Sequence, residues 1–234
     1  MKIALLGYGK MGKAIERIAL ERDHIVVTRI GRNDSMEDIT KADVIIEFTT
    51  PESVLGNLKY LIPTQIPIIC GTTGWNQHLP EITELINQHQ STLVYASNFS
   101  LGVNIFFELN KKLAEIMTRF KEYDVKIKEI HHTEKKDAPS GTAITLFEGL
   151  SEKVEKEKWH LGTSLEKNSV PIEALRQDDI KGTHSVTYQN EIENIKITHT
   201  ANTREGFALG SIIAAEWIIN KKGIYTMKEV LGLE

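Results

Sequence analysis

From Lys2 to about Ala96, short apolar runs alternate with polar segments of helical period. Lys2 to Leu6, Ile25 to about Ile30, Asp43 to Phe48, Ile66 to Cys70 and Thr92 to Ala96 are near-continuous in branched apolar residues. That is the pattern of strands buried on both faces of a parallel sheet. After the first run comes a helix with Met11, Ile15, Ile18 and Ala19 on one face, and Thr49-Thr50-Pro51 opens another over Glu52 to Leu61. From Gly102 the alternation loosens. Val103 to Phe120 predicts a long amphipathic helix, and Val125, Ile127, Glu129 and His131 share one parity of a strand. Pro139 and Ser140 precede a further helix beginning near Ala143, and the charge run Glu152 to Lys158 reads as its solvated end. Leu161 to Asn168 reads as a loop. Thr183 to Tyr188 and Ile192 to His199 alternate apolar and polar positions, as half-buried antiparallel strands do.

The first strand runs straight into Gly7-Tyr8-Gly9-Lys10-Met11-Gly12, and a helix follows. A G-x-G-x-x-G placed between strand and helix is a dinucleotide-binding signal. Its first glycine allows the tight turn, its second admits a pyrophosphate, and its third lets helix and strand pack closely. The second strand ends without the usual ribose-binding acid: Thr28-Arg29-Ile30-Gly31-Arg32 stands there, and Asp34 follows slightly late. Arg29 and Arg32 could pair with the 2′-phosphate of NADPH, so NADPH is expected to serve at least as well as NADH, unless Arg29 faces away and Asp34 swings in as the missing acid. Two other strand ends carry small polar tails, Gly71-Thr72-Thr73-Gly74 and Ser97-Asn98-Phe99-Ser100, where open sheets collect ligands.

The densest chemistry lies in Glu129 to Ala143, EIHHTEKKDAPSGTA. Two imidazoles and two ammonium groups sit between a strand and a helix start. Main-chain N–H groups at a helix start attract anions, and nearby cations strengthen the pull. The design suits a small carboxylated substrate beside groups that can move a proton. One difficulty is that His131 and His132 would face opposite sides of a regular strand, so the strand must end or bulge there. No third ligand has familiar metal-site spacing, and His184 and His199, on predicted strands, read as structural.

H-H-x-x-K-x-D-A-P-S-G-T-A resembles the signature of the dihydrodipicolinate reductase family, which serves lysine and diaminopimelate synthesis. Ile197-Thr198-His199-Thr200-Ala201 and Arg204-Glu205-Gly206-Phe207-Ala208-Leu209-Gly210 match a second segment of it. The resemblance implies an α/β Rossmann-type parallel sheet at the N-terminus. It also implies an α+β C-terminal domain for substrate binding and oligomerisation, with an open mixed sheet. The dinucleotide domain would be discontinuous, 1–101 with 206–234, and the second domain would span 102–205. The resemblance further implies reduction of 4-hydroxy-tetrahydrodipicolinate, by way of dihydrodipicolinate, with NADH or NADPH. His131 and Lys135 would be catalytic, Lys135 as proton donor. His132, Ser140, Gly141 and Thr142 would hold the substrate carboxylates. The cofactor would meet Gly7, Tyr8, Gly9, Lys10, Met11, Gly12, Arg29, Arg32, Phe48, Gly71, Thr72, Thr73, Ala96, Ser97, Asn98 and Phe99. The assembly would be a homotetramer. Two alternatives belong to other classes: an amino-acid dehydrogenase of the same plan, and a nucleotide-sensing module without turnover.

Composition narrows the partners. The 234 residues are 26% charged with a formal net charge of −4, against the basic surface that generic nucleic-acid binding needs. The lone Cys70 fits a reducing compartment. The chain opens on a strand with no signal-peptide layout, and its longest apolar run, Phe207 to Ile219, is too short and interrupted for a bilayer. A cytoplasmic protein without metal, nucleic acid or membrane partner is expected.

Overall fold

The computed structural model describes residues 1–31, 34–203 and 205–233, and of residue 37 the backbone alone. It divides into two compact units, Met1–Leu101 with Glu205–Glu234, and Gly102–Arg204. Glu205 opens a helix of the first unit and so falls there, one residue earlier than the sequence boundary.

In the first unit β1 (Lys2–Leu6), β2 (Ile25–Ile30), β3 (Val44–Glu47), β4 (Ile68–Cys70), β5 (Thr92–Tyr95) and β11 (Gly223–Tyr225) form one parallel sheet. Its order is β11-β5-β4-β3-β1-β2. Side chains alternate across each strand, so neighbours in sequence enter different cores. Ile46 joins Ile3, Leu5, Ile69 and Val94 beneath α1 (Lys10–Glu21) and α6 (Glu205–Ile218). Ile45 joins Ala4, Ile68 and Leu93 beneath α2 (Pro51–Leu61) and α3 (Leu79–His89). Each fully buried Ile, Leu or Val side chain among them contributes about 1.5–3 kcal/mol. The small residues of α6 serve close packing: Ala208, Ser211, Ala214 and Ala215 are fully buried, and a Cβ on Gly210 would lie 1.7 Å from the Phe99 carbonyl oxygen. β11 and α7 (Met227–Leu231) close the sheet edge. Neither they nor α3 is among the elements expected from periodicity.

The strand order reverses between β1 and β3, and open parallel sheets bind ligands beyond the carboxyl ends at such a point. The Thr50 capping box and Pro51 start α2 immediately after β3, which sets Phe48–Thr50 beside the glycine loop.

In the second unit β6 (Asp124–His131), β7 (Lys158–Leu161), β8 (Ser169–Arg176), β9 (Thr183–Gln189) and β10 (Asn194–Thr200) form a mixed sheet in the order β10-β9-β6-β8-β7. β10, β9 and β6 run antiparallel, whereas β6, β8 and β7 run parallel. α4 (Leu101–Met117) and α5 (Gly141–Val154) supply Phe106, Met117, Leu146 and Leu150 to a core with Val125, Ile127, Val170, Ile172, Val186 and Tyr188. Two readings are corrected here. The charge run does not remain a helix end, because α5 stops at Val154 and Lys158 begins β7. β9 is not half-buried: it lies between β10 and β6, and Ser185 and Thr187 on its polar parity are buried too.

Candidate active site

Within the first unit, a cavity of about 430 Å³ is lined by Leu6, Gly7, Tyr8, Gly9, Gly31 and Asp34 together with Met36, Phe48, Thr49, Thr50, Ser53 and Asn57. Gly7 holds φ +100°, and a Cβ there would stand 2.0 Å from the Phe48 carbonyl oxygen. Only glycine permits that approach. Around Gly9, by contrast, a Cβ would meet nothing within 4 Å, so the backbone faces open space. Gly9 is the N-cap of α1, no side chain caps that helix, and its first turn carries no acid. Such a helix start offers main-chain N–H groups and positive potential to an anion. The site therefore fits the pyrophosphate of a dinucleotide.

The remaining expected cofactor residues separate into groups. Lys10 is exposed at the start of α1, while Met11 and Gly12 pack inward. Phe48 closes against Gly71, where a Cβ would fall 2.1 Å from its ring, and its ring centroid is 5.7 Å from that of Phe99. Thr72 turns its hydroxyl to the Thr49 N–H at 2.7 Å, and Thr73 is exposed. Ala96 N–H donates to the Cys70 carbonyl, and Asn98 accepts from Ser100 N–H at 2.9 Å. Ala96 to Phe99, Ser97 included, thus follow β5 beside the loop that follows β4. Arg29 does not line the cavity; it is paired with Glu16. Arg32 and Arg204 lie outside the described residues.

In the second unit β6 ends at His131, which removes the alternation that would send His132 to the opposite face. Glu129, two residues earlier, is the centre of the arrangement. It is fully buried, accepts the Ser140 N–H at 3.0 Å on Oε2, and receives both terminal nitrogens of Arg176 at 3.3 Å on Oε1. His131 Nδ1 and His184 Nε2 each lie 3.7 Å from Oε2. Burial, the largest single influence, pushes the Glu129 carboxyl upward; His184 and Ser140 outweigh it and bring the pKa to about 2. Burial lowers His131 to about 4, and His184, whose ring centroid is 4.9 Å away at a steep angle, adds to the effect. His131 is therefore a neutral imidazole at neutral pH.

Arg176 also fixes the loop that carries Lys135. Its guanidinium donates to the carbonyls of Lys135 at 3.2 Å and Asp137 at 2.5 Å. The Lys135 ammonium rests on the Asp137 carboxylate at 2.8 and 2.7 Å. Ser140 caps α5: its hydroxyl accepts the Ala143 N–H at 3.2 Å and meets His184 Nε2 at 3.1 Å. A Cβ on Gly141 would meet nothing within 4 Å, so the first turn of α5, with Thr142 next, is open to an anion.

Glu129, His131 and His184 present ligand-type atoms within 4.8 Å of one another, the composition of a metal site. Glu129 Oε2 already accepts the Ser140 N–H, however, His184 Nε2 meets the Ser140 hydroxyl, and the Arg176 guanidinium stands 3.3 Å from Glu129 Oε1. Glu129, Arg176 and Asp137 have no catalytic or binding role in the sequence-level reading, which takes His184 as structural. Arg176 lies 47 residues from Glu129, and only the parallel pairing of β6 with β8 brings the two together.

The sheet with its glycine loop at the strand reversal, and the second unit with its basic loop, define an oxidoreductase dependent on a nicotinamide dinucleotide. The chain belongs to the dihydrodipicolinate reductase family: the model for the family's N-terminus matches residues 1–99 and that for its C-terminus residues 102–231. The 4-hydroxy-tetrahydrodipicolinate reductase of Christiangramia forsetii is 46% identical over 99% of this chain and 98% of its own length. That of Methanoregula boonei is 38% identical over 83% of this chain and 76% of its own. A dipicolinate-bound dihydrodipicolinate reductase from Paenisporosarcina sp. shares the fold, with a TM-score of 0.78 at 21% identity, over 98% of each chain. Among the described residues no helix is long and apolar enough to cross a membrane.

Proposed function

We infer that the chain reduces 4-hydroxy-tetrahydrodipicolinate, by way of dihydrodipicolinate, to tetrahydrodipicolinate in lysine and diaminopimelate synthesis. The observation that carries this reading is family membership along both units, with the His131–Lys135 and Ser140–Thr142 segments intact. The first unit binds the dinucleotide. The second binds substrate and mediates oligomerisation.

Gly7, Gly9 and the start of α1 hold the pyrophosphate, and Phe48, Gly71–Thr73 and Ala96–Phe99 shape the nicotinamide side. When bound, the reduced nicotinamide supplies a hydride. His132 and the opening of α5 at Ser140, Gly141 and Thr142 receive the carboxylates of a small dicarboxylate substrate. That placement holds the ring for reaction. Neutral His131 orients the substrate by hydrogen bonding without adding charge. Lys135 supplies the proton to the carbon next to the one reduced, because an ammonium both donates and offsets developing negative charge. A substrate carboxylate that competes for Lys135 releases it from Asp137.

A cytoplasmic homotetramer fits the same reading. The sheet face lined by Lys126, Lys128, Glu173, Thr187 and Lys196 is opposite α4 and α5 and has the polar character of a surface for matching copies. The activity is tested by mixing the chain with NADH or NADPH and freshly prepared 4-hydroxy-tetrahydrodipicolinate and following nicotinamide absorbance. Substrate-dependent oxidation is expected. Its absence with both cofactors, or turnover only of amino acids, overturns the assignment.

A further inference from the structure

The end of β2 is where the adenosine ribose of a dinucleotide comes to lie in parallel-sheet folds of this kind. Gly7 N–H donates to the Ile30 carbonyl at 2.9 Å, so the glycine loop is hydrogen-bonded to the end of β2. Gly31 N–H donates to Asp34 Oδ2 at 2.7 Å, which sets an acid that stands late in sequence beside the strand end. Asp34 lines the cavity together with Gly7, Tyr8 and Gly9.

Of the two cations expected at this place, Arg29 is engaged elsewhere. Arg29 donates from Nε to Glu16 Oε1 at 2.8 Å, and a second guanidinium nitrogen meets the same oxygen. Tyr8 donates its hydroxyl to the other Glu16 oxygen. The carboxylate that stands against Arg29 is largely buried and compensates its charge.

We propose that Asp34 makes this chain select NADH over NADPH, by accepting the ribose 2′-hydroxyl and repelling a 2′-phosphate, while Glu16 withholds Arg29 from that phosphate. The inference rests on the dinucleotide-dependent function proposed above. It departs from the expectation that NADPH serves at least as well as NADH and takes up the Asp34 alternative instead.

The test is direct titration of the purified chain with NADH and with NADPH, read by nicotinamide fluorescence without substrate. The wild type, Asp34→Asn, Asp34→Ala, Glu16→Gln and Arg32→Ala are compared. Asp34→Asn keeps an acceptor for Gly31 N–H, so it separates lost charge from lost folding. The wild type is expected to bind NADH about ten- to a hundredfold tighter than NADPH. Both Asp34 variants should narrow that ratio, Glu16→Gln should strengthen NADPH, and Arg32→Ala should leave NADH preferred. Equal affinities in the wild type, or a preference that Asp34→Asn leaves intact, overturn the inference. Selective binding without reductase turnover would instead overturn the proposed function and leave this inference standing. Binding of neither dinucleotide overturns both.

Discussion

Arg176 and Glu129 form an ion pair between the adjacent strands β8 and β6, with both terminal guanidinium nitrogens 3.3 Å from one carboxylate oxygen. The carboxylate is fully buried, while the guanidinium reaches on to the carbonyls of Lys135 and Asp137. One side chain thus ties the buried Glu129 carboxylate to the loop that bears Lys135.

Arg176→Ala is expected to leave Glu129 buried without its charge partner, at a stability cost on the order of 3–5 kcal/mol. Urea denaturation followed by circular dichroism measures it. Turnover of the folded fraction should fall as well, because the Lys135 loop loses two hydrogen bonds, and Arg176→Lys should recover part of the stability but less of the turnover. A stable, fully active Arg176→Ala would contradict this account of the loop.

Lys135→Ala is expected to lower kcat by about 10²–10⁴-fold, the usual contribution of a placed acid. Titration with reduced dinucleotide should match the wild type, since the glycine loop belongs to the other compact unit. Undiminished turnover would remove Lys135 from the mechanism.

Acid should destabilise the protein in two overlapping stages. His131 has a native pKa of about 4 against 6.5 ordinarily, so the unfolded chain takes up its proton first. Its contribution is complete above about 6.5 and is lost as pH falls toward 4. Glu129, at about 2 against 4.5, contributes fully above 4.5 and loses that contribution as pH falls toward 2. Thermal melts from pH 7 downward should show Tm declining first in the His131 window. His131→Asn should flatten that part of the curve; an unchanged slope would mean that another group titrates there.

Gly7→Ala forces a Cβ toward the Phe48 carbonyl at a positive φ that alanine tolerates poorly. A stability loss of about 1–3 kcal/mol and weakened binding of both dinucleotides are expected, measured by thermal melts and fluorescence titration. Wild-type affinity in a folded variant would show that the turn can relax.

Light scattering at micromolar concentration should give the mass of four chains. Substitution of Lys128 or Lys196 on the exposed sheet face by glutamate should shift the mass downward. A monomeric wild type would refute the tetramer.

The apolar runs at Lys2–Leu6 and Val44–Glu47 settle their own strand character, and the glycine loop declares its turn, because these depend on residues a few positions apart. The stretch from Glu129 to Ala143 is likewise legible as a strand, a basic turn and a capped helix start. β8 escapes that reading: SVPIEALR contains a proline, and its first half is buried on both parities, so no period marks it. Lys158–Leu161 is hidden in the same way by the charge run before it.

What tertiary structure alone decides is which distant groups meet. β6 pairs with β8 in a register that sets His131 opposite Arg176, and the antiparallel β9 sets His184 opposite Glu129. The same holds in the first unit, where α1 and β2 bring Glu16 to Arg29, and Asp34 lines one cavity with the glycine loop. Local periodicity determines the elements, since side-chain direction along a helix or strand follows from backbone geometry. The charge pairs depend on sheet register and helix packing, which the burial of whole apolar faces selects and no short window of sequence contains.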